Sequence, residues 1–165
     1  MPTPPTMKLY NYDIVFQEVP DEVSLAINIT NCPNHCEGCH SPHLWDDIGE
    51  ELTTELLSSL IAQYENLITC VLLMGGDRDW PAVKSLMRHI RQHTRLHTAW
   101  YSGRETFPEA QSPELLSLFD YVKFGPYRPD CGGLKSPTTN QRMYRIVNGE
   151  MVDITERFYK CVQTY

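Results

Sequence analysis

Ile68-Thr69-Cys70-Val71-Leu72-Leu73-Met74-Gly75-Gly76-Asp77 is the stretch that decides the fold. A continuous apolar run of strand length, with no polar alternation, belongs where both faces of a strand are covered, as in a parallel sheet. Gly75-Gly76 stops the run, and a glycine pair lets backbone approach a ligand closely. On the N-terminal side, Leu56, Leu57, Leu60, Ile61 and Tyr64 recur at helical spacing. On the C-terminal side, Pro81 suits the first turn of a helix that buries Val83, Leu86, Met87 and Ile90. Further out, Val23-Ser24-Leu25-Ala26-Ile27-Asn28-Ile29 alternates with period two, and Leu96-His97-Thr98-Ala99-Trp100-Tyr101 and Tyr121-Val122-Lys123-Phe124 read as strands. A short helix is expected between the last two, with Ser112 as N-cap and Pro113 at its first position.

Strands alternating with helices predict βαβ units. Only four or five such strands fit before Gly132, too few for an eight-stranded barrel. The expected fold is α/β: a partial, open TIM-like barrel of mostly parallel strands. Asn148-Gly149, between Met143-Tyr144-Arg145-Ile146-Val147 and Glu150-Met151-Val152-Asp153-Ile154, predicts a C-terminal β-hairpin. Residues 1–6 are expected to be a disordered tail, with no signal-peptide pattern, and residues 7–165 one domain.

Composition narrows the function classes. The 165 residues are 41% hydrophobic and 21% charged, with a formal charge of −7. That sign argues against general nucleic-acid binding, and no apolar run approaches the length of a membrane span. Six cysteines are present, and three of them fall within eight residues, as Cys32-Pro33-Asn34-His35-Cys36-Glu37-Gly38-Cys39. The other three, Cys70, Cys131 and Cys161, are scattered. A chain this long needs no disulfide staples, so a reduced, cytoplasmic setting and a metal site are expected.

Thiolates are soft ligands suited to iron–sulfur clusters or zinc. Three of them in one loop wrap a single centre, and three ligands on a four-iron cube leave one iron open for a cofactor. The competing zinc site takes His35, His40 or His43 as fourth ligand. No second C-x2-C pair follows downstream, which favours the cluster. The loop leaves the first parallel strand and Gly75-Gly76-Asp77 leaves the next, where ligands gather in open α/β sheets. Asp77 adds a carboxylate able to pair with an ammonium group.

The C-x3-C-x2-C spacing resembles the radical S-adenosylmethionine superfamily, and within it the activating proteins of anaerobic ribonucleoside-triphosphate reductase. Four stretches carry the likeness: Gly38-Cys39-His40-Ser41-Pro42 with Trp45, Met74-Gly75-Gly76-Asp77, Tyr121-Val122-Lys123-Phe124-Gly125-Pro126-Tyr127, and Thr139-Asn140-Gln141-Arg142. The resemblance implies a [4Fe–4S] cluster on Cys32, Cys36 and Cys39, with S-adenosylmethionine at its open iron. It further implies cofactor contacts from Gly38, His40, Gly75, Gly76, Asp77, Ser102, Gly103 and Lys123. The implied partners are the glycyl radical reductase and a reduced flavodoxin or ferredoxin as electron donor. Asn140, Gln141 and Arg142, with the hairpin, are expected to form part of the docking surface. Ser41 and Thr139 depart from the family's usual Asn and Ser.

Three other functions fit parts of the pattern: a small-molecule radical enzyme resembling 7-carboxy-7-deazaguanine synthase, an activase of another glycyl radical enzyme, and a non-enzymatic zinc or iron–sulfur module. Lys84, Arg88, Arg91 and Arg95 share one helical face and read as solvated. His89 and His93 precede His97, which falls in the next strand. Cys70 reads as a core thiol, and Cys131 as a loop thiol. Trp45, Trp80 and Trp100 read as core or pocket wall.

Overall fold

The computed structural model describes residues 7–39, 41–105 and 116–160. The expected tail, His40, the helix at Ser112-Pro113, and Cys161 lie outside them. Eight strands are present among the described residues: β1 (Lys8–Val15), β2 (Ser24–Ile29), β3 (Glu50–Glu51), β4 (Cys70–Met74), β5 (His97–Tyr101), β6 (Tyr121–Phe124), β7 (Arg142–Val147) and β8 (Glu150–Asp153). Helices α1 (Thr54–Tyr64), α2 (Trp80–His93) and a short α3 (Arg157–Lys160) join them, with one 3-10 turn at Pro42–Trp45.

All eight strands form one open sheet in the order β3-β1-β2-β4-β5-β6-β7-β8. Its centre, β2-β4-β5-β6, is parallel, as the βαβ pattern requires. The flanks correct the expectation of a barrel of mostly parallel strands: β1 runs antiparallel to β2 and β3, and β7 to β6 and β8. Four of the seven pairings are therefore antiparallel. Two strands were missed: β3 is only two residues long, and in β1 Tyr10, Tyr12 and Ile14 alternate with Asn11 and Asp13, a period-two signal that was passed over and that burial does not follow. β1 pairs where a short connection returns it beside β2, which only an antiparallel partner allows.

β4 is the spine. Cys70, Val71, Leu72 and Leu73 are fully buried, because alternate residues enter two separate apolar clusters. Val71 and Leu73 join Leu25, Ile27, Trp100 and Val122 against the helices, while Cys70 and Leu72 join Ala26, Ala99, Tyr121 and Met143 on the opposite face. Thr53 caps α1 by accepting from the Leu56 amide at 3.0 Å. Asp79 caps α2 by accepting from the Ala82 amide at 3.2 Å, with Pro81 in the first turn. Val83, Leu86, Met87 and Ile90 are the buried residues of α2, matching the predicted face. The hairpin also matches: Asn148 and Gly149 both have positive φ, 52° and 78°, as a type I′ turn demands. Among the described residues no helix is long and apolar enough to cross a membrane.

Candidate functional site

The loop after β2 is shaped by its own backbone. Asn31, His35 and Gly38 take positive φ, and the chain doubles back so that the Asn31 and Cys32 amides donate to the Asp46 and Leu44 carbonyls at 3.0 and 2.9 Å. The 3-10 turn thus closes the cysteine loop from behind. Gly38 is required by close approach, since a Cβ there would lie 3.0 Å from Pro129 Cγ. Two sulfurs accept hydrogen bonds within the loop: Cys39 Sγ from the Ser41 amide at 3.4 Å, and Cys32 Sγ from Asn34 Nδ2 at 3.6 Å.

The loops after β2, β4, β5 and β6 enclose one cavity of about 460 Å³, a size suited to a cofactor. Cys32, Cys36 and Cys39 line it, half-buried, with free thiols. Gly75, Asp77, Ser102, Gly103 and Lys123 line it too, so the structure brings together most of the residues expected from sequence. Among the described residues no three His, Cys, Asp or Glu side chains stand close enough to form a ready metal-binding group.

Asp77 is the hub. Its carboxyl is only 3% exposed. Oδ1 accepts from Ser102 Oγ at 2.5 Å, and Oδ2 from Asn34 Nδ2 at 2.6 Å and the Gly103 amide at 2.9 Å. Arg104 donates to the Asp77 carbonyl at 2.7 Å. One carboxylate therefore ties the cysteine loop, the glycine turn and the loop after β5. A Cβ at Gly103 would lie 2.6 Å from Asn34 Nδ2, so a side chain there would have to displace that amide.

Lys123 is buried among these groups. Its Nζ donates to the Gly125 and Ser102 carbonyls at 3.0 and 3.4 Å and lies 5.5 Å over the Tyr101 ring. Burial pulls its ammonium down to about 8, while Asp77 and the Cys36 and Cys32 thiols pull the other way. The cavity wall thus holds a buried ammonium as well as three thiols. Cys70, by contrast, sits in the core, where burial drives its thiol far up and leaves it inert.

Gly76 and Gly38 are not among the cavity's lining residues. Gly76 serves packing: at φ 95° a Cβ would lie 2.8 Å from Val83 Cγ2. His35 stacks on Trp45 with ring centroids 4.6 Å apart, and His43 packs on Tyr10 at 4.8 Å; neither is among the residues lining the cavity. Of the expected docking residues, Gln141 is buried and donates to the Gly125 carbonyl at 3.3 Å, Asn140 is half-buried, and Arg142 is exposed. Arg91 is not merely solvated: it pairs with Asp120 at 2.6 Å. Asn34 and Tyr127 were missed as cavity residues. Nothing in a run of loop residues tells which amide turns inward.

The donor set fits an iron–sulfur cluster. Three thiols share one cavity, two accept N–H hydrogen bonds, the Lys123 ammonium is buried in the same wall, and apolar Ile29, Leu44 and Met74 complete it. Trp45 contributes an indole N–H buried without a partner.

Residues 23–146 match the model of the 4Fe–4S single cluster domain family. The chain is 24% identical over 136 residues to the anaerobic ribonucleoside-triphosphate reductase-activating protein of Enterobacteria phage T4, covering 76% of this chain and 85% of that one. No solved structure matches the chain.

Proposed function

The chain belongs to the 4Fe–4S single cluster domain family, and from that premise we propose that it is a radical S-adenosylmethionine activase of anaerobic ribonucleoside-triphosphate reductase. One observation carries the reading. Three thiols, a buried carboxylate hub and a buried lysine line one cavity at the carboxyl ends of the parallel strands. The likeness to the phage activating protein supports the choice of partner.

Cys32, Cys36 and Cys39 would hold the cluster, leaving one iron for the cofactor's amino and carboxylate groups. Bound there, the cluster and cofactor would supply the one-electron reductive chemistry that an activase needs to place a radical on a glycine of its partner. The protein's own work is binding, orientation and exclusion of water. Asp77 and the Gly75 backbone offer acceptors for the methionyl ammonium, while Ser102 and Gly103 frame the neighbouring wall. Lys123 offsets the negative charge of the thiolates from a dry position, where such an interaction is strong. Ile29, Leu44 and Met74 keep water from the reacting end of the cavity. A reduced flavodoxin or ferredoxin is the proposed electron donor.

The test is anaerobic reconstitution with iron and sulfide, followed by EPR of the reduced protein with and without S-adenosylmethionine, then with the reductase. A cluster signal altered by the cofactor and a glycyl radical on the reductase are expected. Bound zinc, or a cluster signal indifferent to the cofactor, would reject the assignment.

A further inference from the structure

Asn34 stands between two parts of the site that sequence treats as separate. Its Nδ2 lies 2.6 Å from Asp77 Oδ2 and 3.6 Å from Cys32 Sγ. Carboxylate oxygen accepts only, so the atom facing Asp77 is the amide nitrogen, and its two hydrogens can serve both acceptors. The contact to oxygen is short and charge-assisted; the contact to sulfur is long and weak. A Cβ at Gly103 would lie 2.6 Å from the same nitrogen, so the glycine leaves the amide room.

Asp77 meanwhile has three donors on its two oxygens: Ser102 Oγ, the Gly103 amide and Asn34 Nδ2. Resting on the reading above, a cationic group arriving at Asp77 competes with one of these. The Gly103 amide is fixed by backbone, and Ser102 Oγ is buried on the same loop. Asn34 is the donor with a second acceptor waiting, the Cys32 sulfur.

We infer that Asn34 is a positioning residue that couples cofactor binding at Asp77 to the reduction potential of the cluster, by shifting its amide from the Asp77 carboxylate toward the Cys32 sulfur. A hydrogen bond strengthened onto a ligand sulfur stabilises the more negative, reduced cluster, so the potential rises when the cofactor binds. Electron delivery is thereby favoured once the cofactor is in place.

The experiment uses the full chain with its cluster reconstituted, in wild-type, Asn34→Ala and Asn34→Ser forms. EPR-monitored redox titrations are run with and without S-adenosylmethionine, and cofactor affinity is measured by equilibrium dialysis. Wild type should show a cofactor-linked rise in potential that both variants lose in part. The variants should also bind the cofactor about threefold to tenfold more tightly, because Asp77 has lost a competing donor. A purely structural role predicts the reverse, weaker binding. Equal potential shifts in all three proteins, or weaker binding by the variants, would overturn the coupling while leaving the functional assignment intact. Failure of both variants to load iron, when wild type loads it, would make Asn34 a structural residue and overturn the coupling as well. A wild-type cluster indifferent to the cofactor would overturn the functional assignment, and the coupling with it.

Discussion

Ser102 Oγ donates to Asp77 Oδ1 across 2.5 Å, joining the loop after β5 to the turn after β4 through a carboxylate that is 3% exposed. Removing the acceptor strands three donors from two other loops. Asp77→Ala should cost about 2 kcal/mol or more of stability, read from urea unfolding of the iron-free chain. The reconstituted variant should keep its iron and lose its EPR response to S-adenosylmethionine. An unaltered response would remove Asp77 from the cofactor site.

The three loop cysteines and the core cysteine are separable by iron content. Cys32→Ala, Cys36→Ala and Cys39→Ala should each reduce bound iron after reconstitution to background. Cys70→Ala and Cys131→Ala should load iron as wild type does, since Cys70 is sealed in the sheet core and Cys131 is outside the cavity's lining. A loop variant with wild-type iron and cofactor cleavage is not a ligand variant.

Lys123 writes a pH dependence into the iron-free protein. Its folded pKa, about 8, lies below the ordinary 10.5 because of burial. Between those values the unfolded chain binds more protons, so stability gains from rising pH. The full penalty of burying the cation is present below pH 8 and fades toward 10.5. Relative to Lys123→Met, wild type should therefore gain on the order of 3 kcal/mol over that window. Using the difference cancels the buried tyrosines, such as Tyr121, whose phenol burial pushes up to about 12. A difference flat in pH would show that the ammonium stays solvated.

Two glycines with positive φ separate strain from crowding. Gly149 has φ 78° and nothing within 4 Å of an added Cβ, whereas Gly125 has φ 111° and Gln141 Cα at 2.9 Å. Gly149→Ala should cost about 1 kcal/mol of backbone strain. Gly125→Ala must also displace backbone at the cavity wall, and should lower the melting temperature by clearly more. Equal costs would mean that the loop after β6 yields easily.

Arg142 is the exposed member of the expected docking triplet, 3.8 Å from Asp153 across the hairpin. Arg142→Glu should weaken co-purification with the reductase several-fold while leaving cofactor cleavage by the isolated protein unchanged. Unaltered co-purification would place the docking surface elsewhere.

The parts of the fold legible in sequence were those with a strong local period. Cys70–Met74 announced a doubly covered strand, α2 announced its buried face, and Asn148-Gly149 announced its turn. β1 was passed over although Tyr10, Tyr12 and Ile14 alternate with Asn11 and Asp13; the strand is half exposed, so burial does not follow that pattern, and its place in the sheet is set by its pairing with β2. The expected barrel became an open mixed sheet for the same reason, since strand direction is decided by partners rather than by residues.

At the site, the sequence by itself determined the chemistry. Three thiols spaced within one loop, and a Gly-Gly-Asp turn after a buried strand, follow from residue types and offsets alone. Only the tertiary structure decided who meets whom: Asn34 against Asp77, Ser102 against Asp77, and Lys123 buried against the Ser102 and Gly125 carbonyls. Those pairs are 43 and 25 residues apart. No local propensity reaches that far; the parallel register of β2, β4, β5 and β6 sets all their loops at one edge, and burial there decides which donors Asp77 receives.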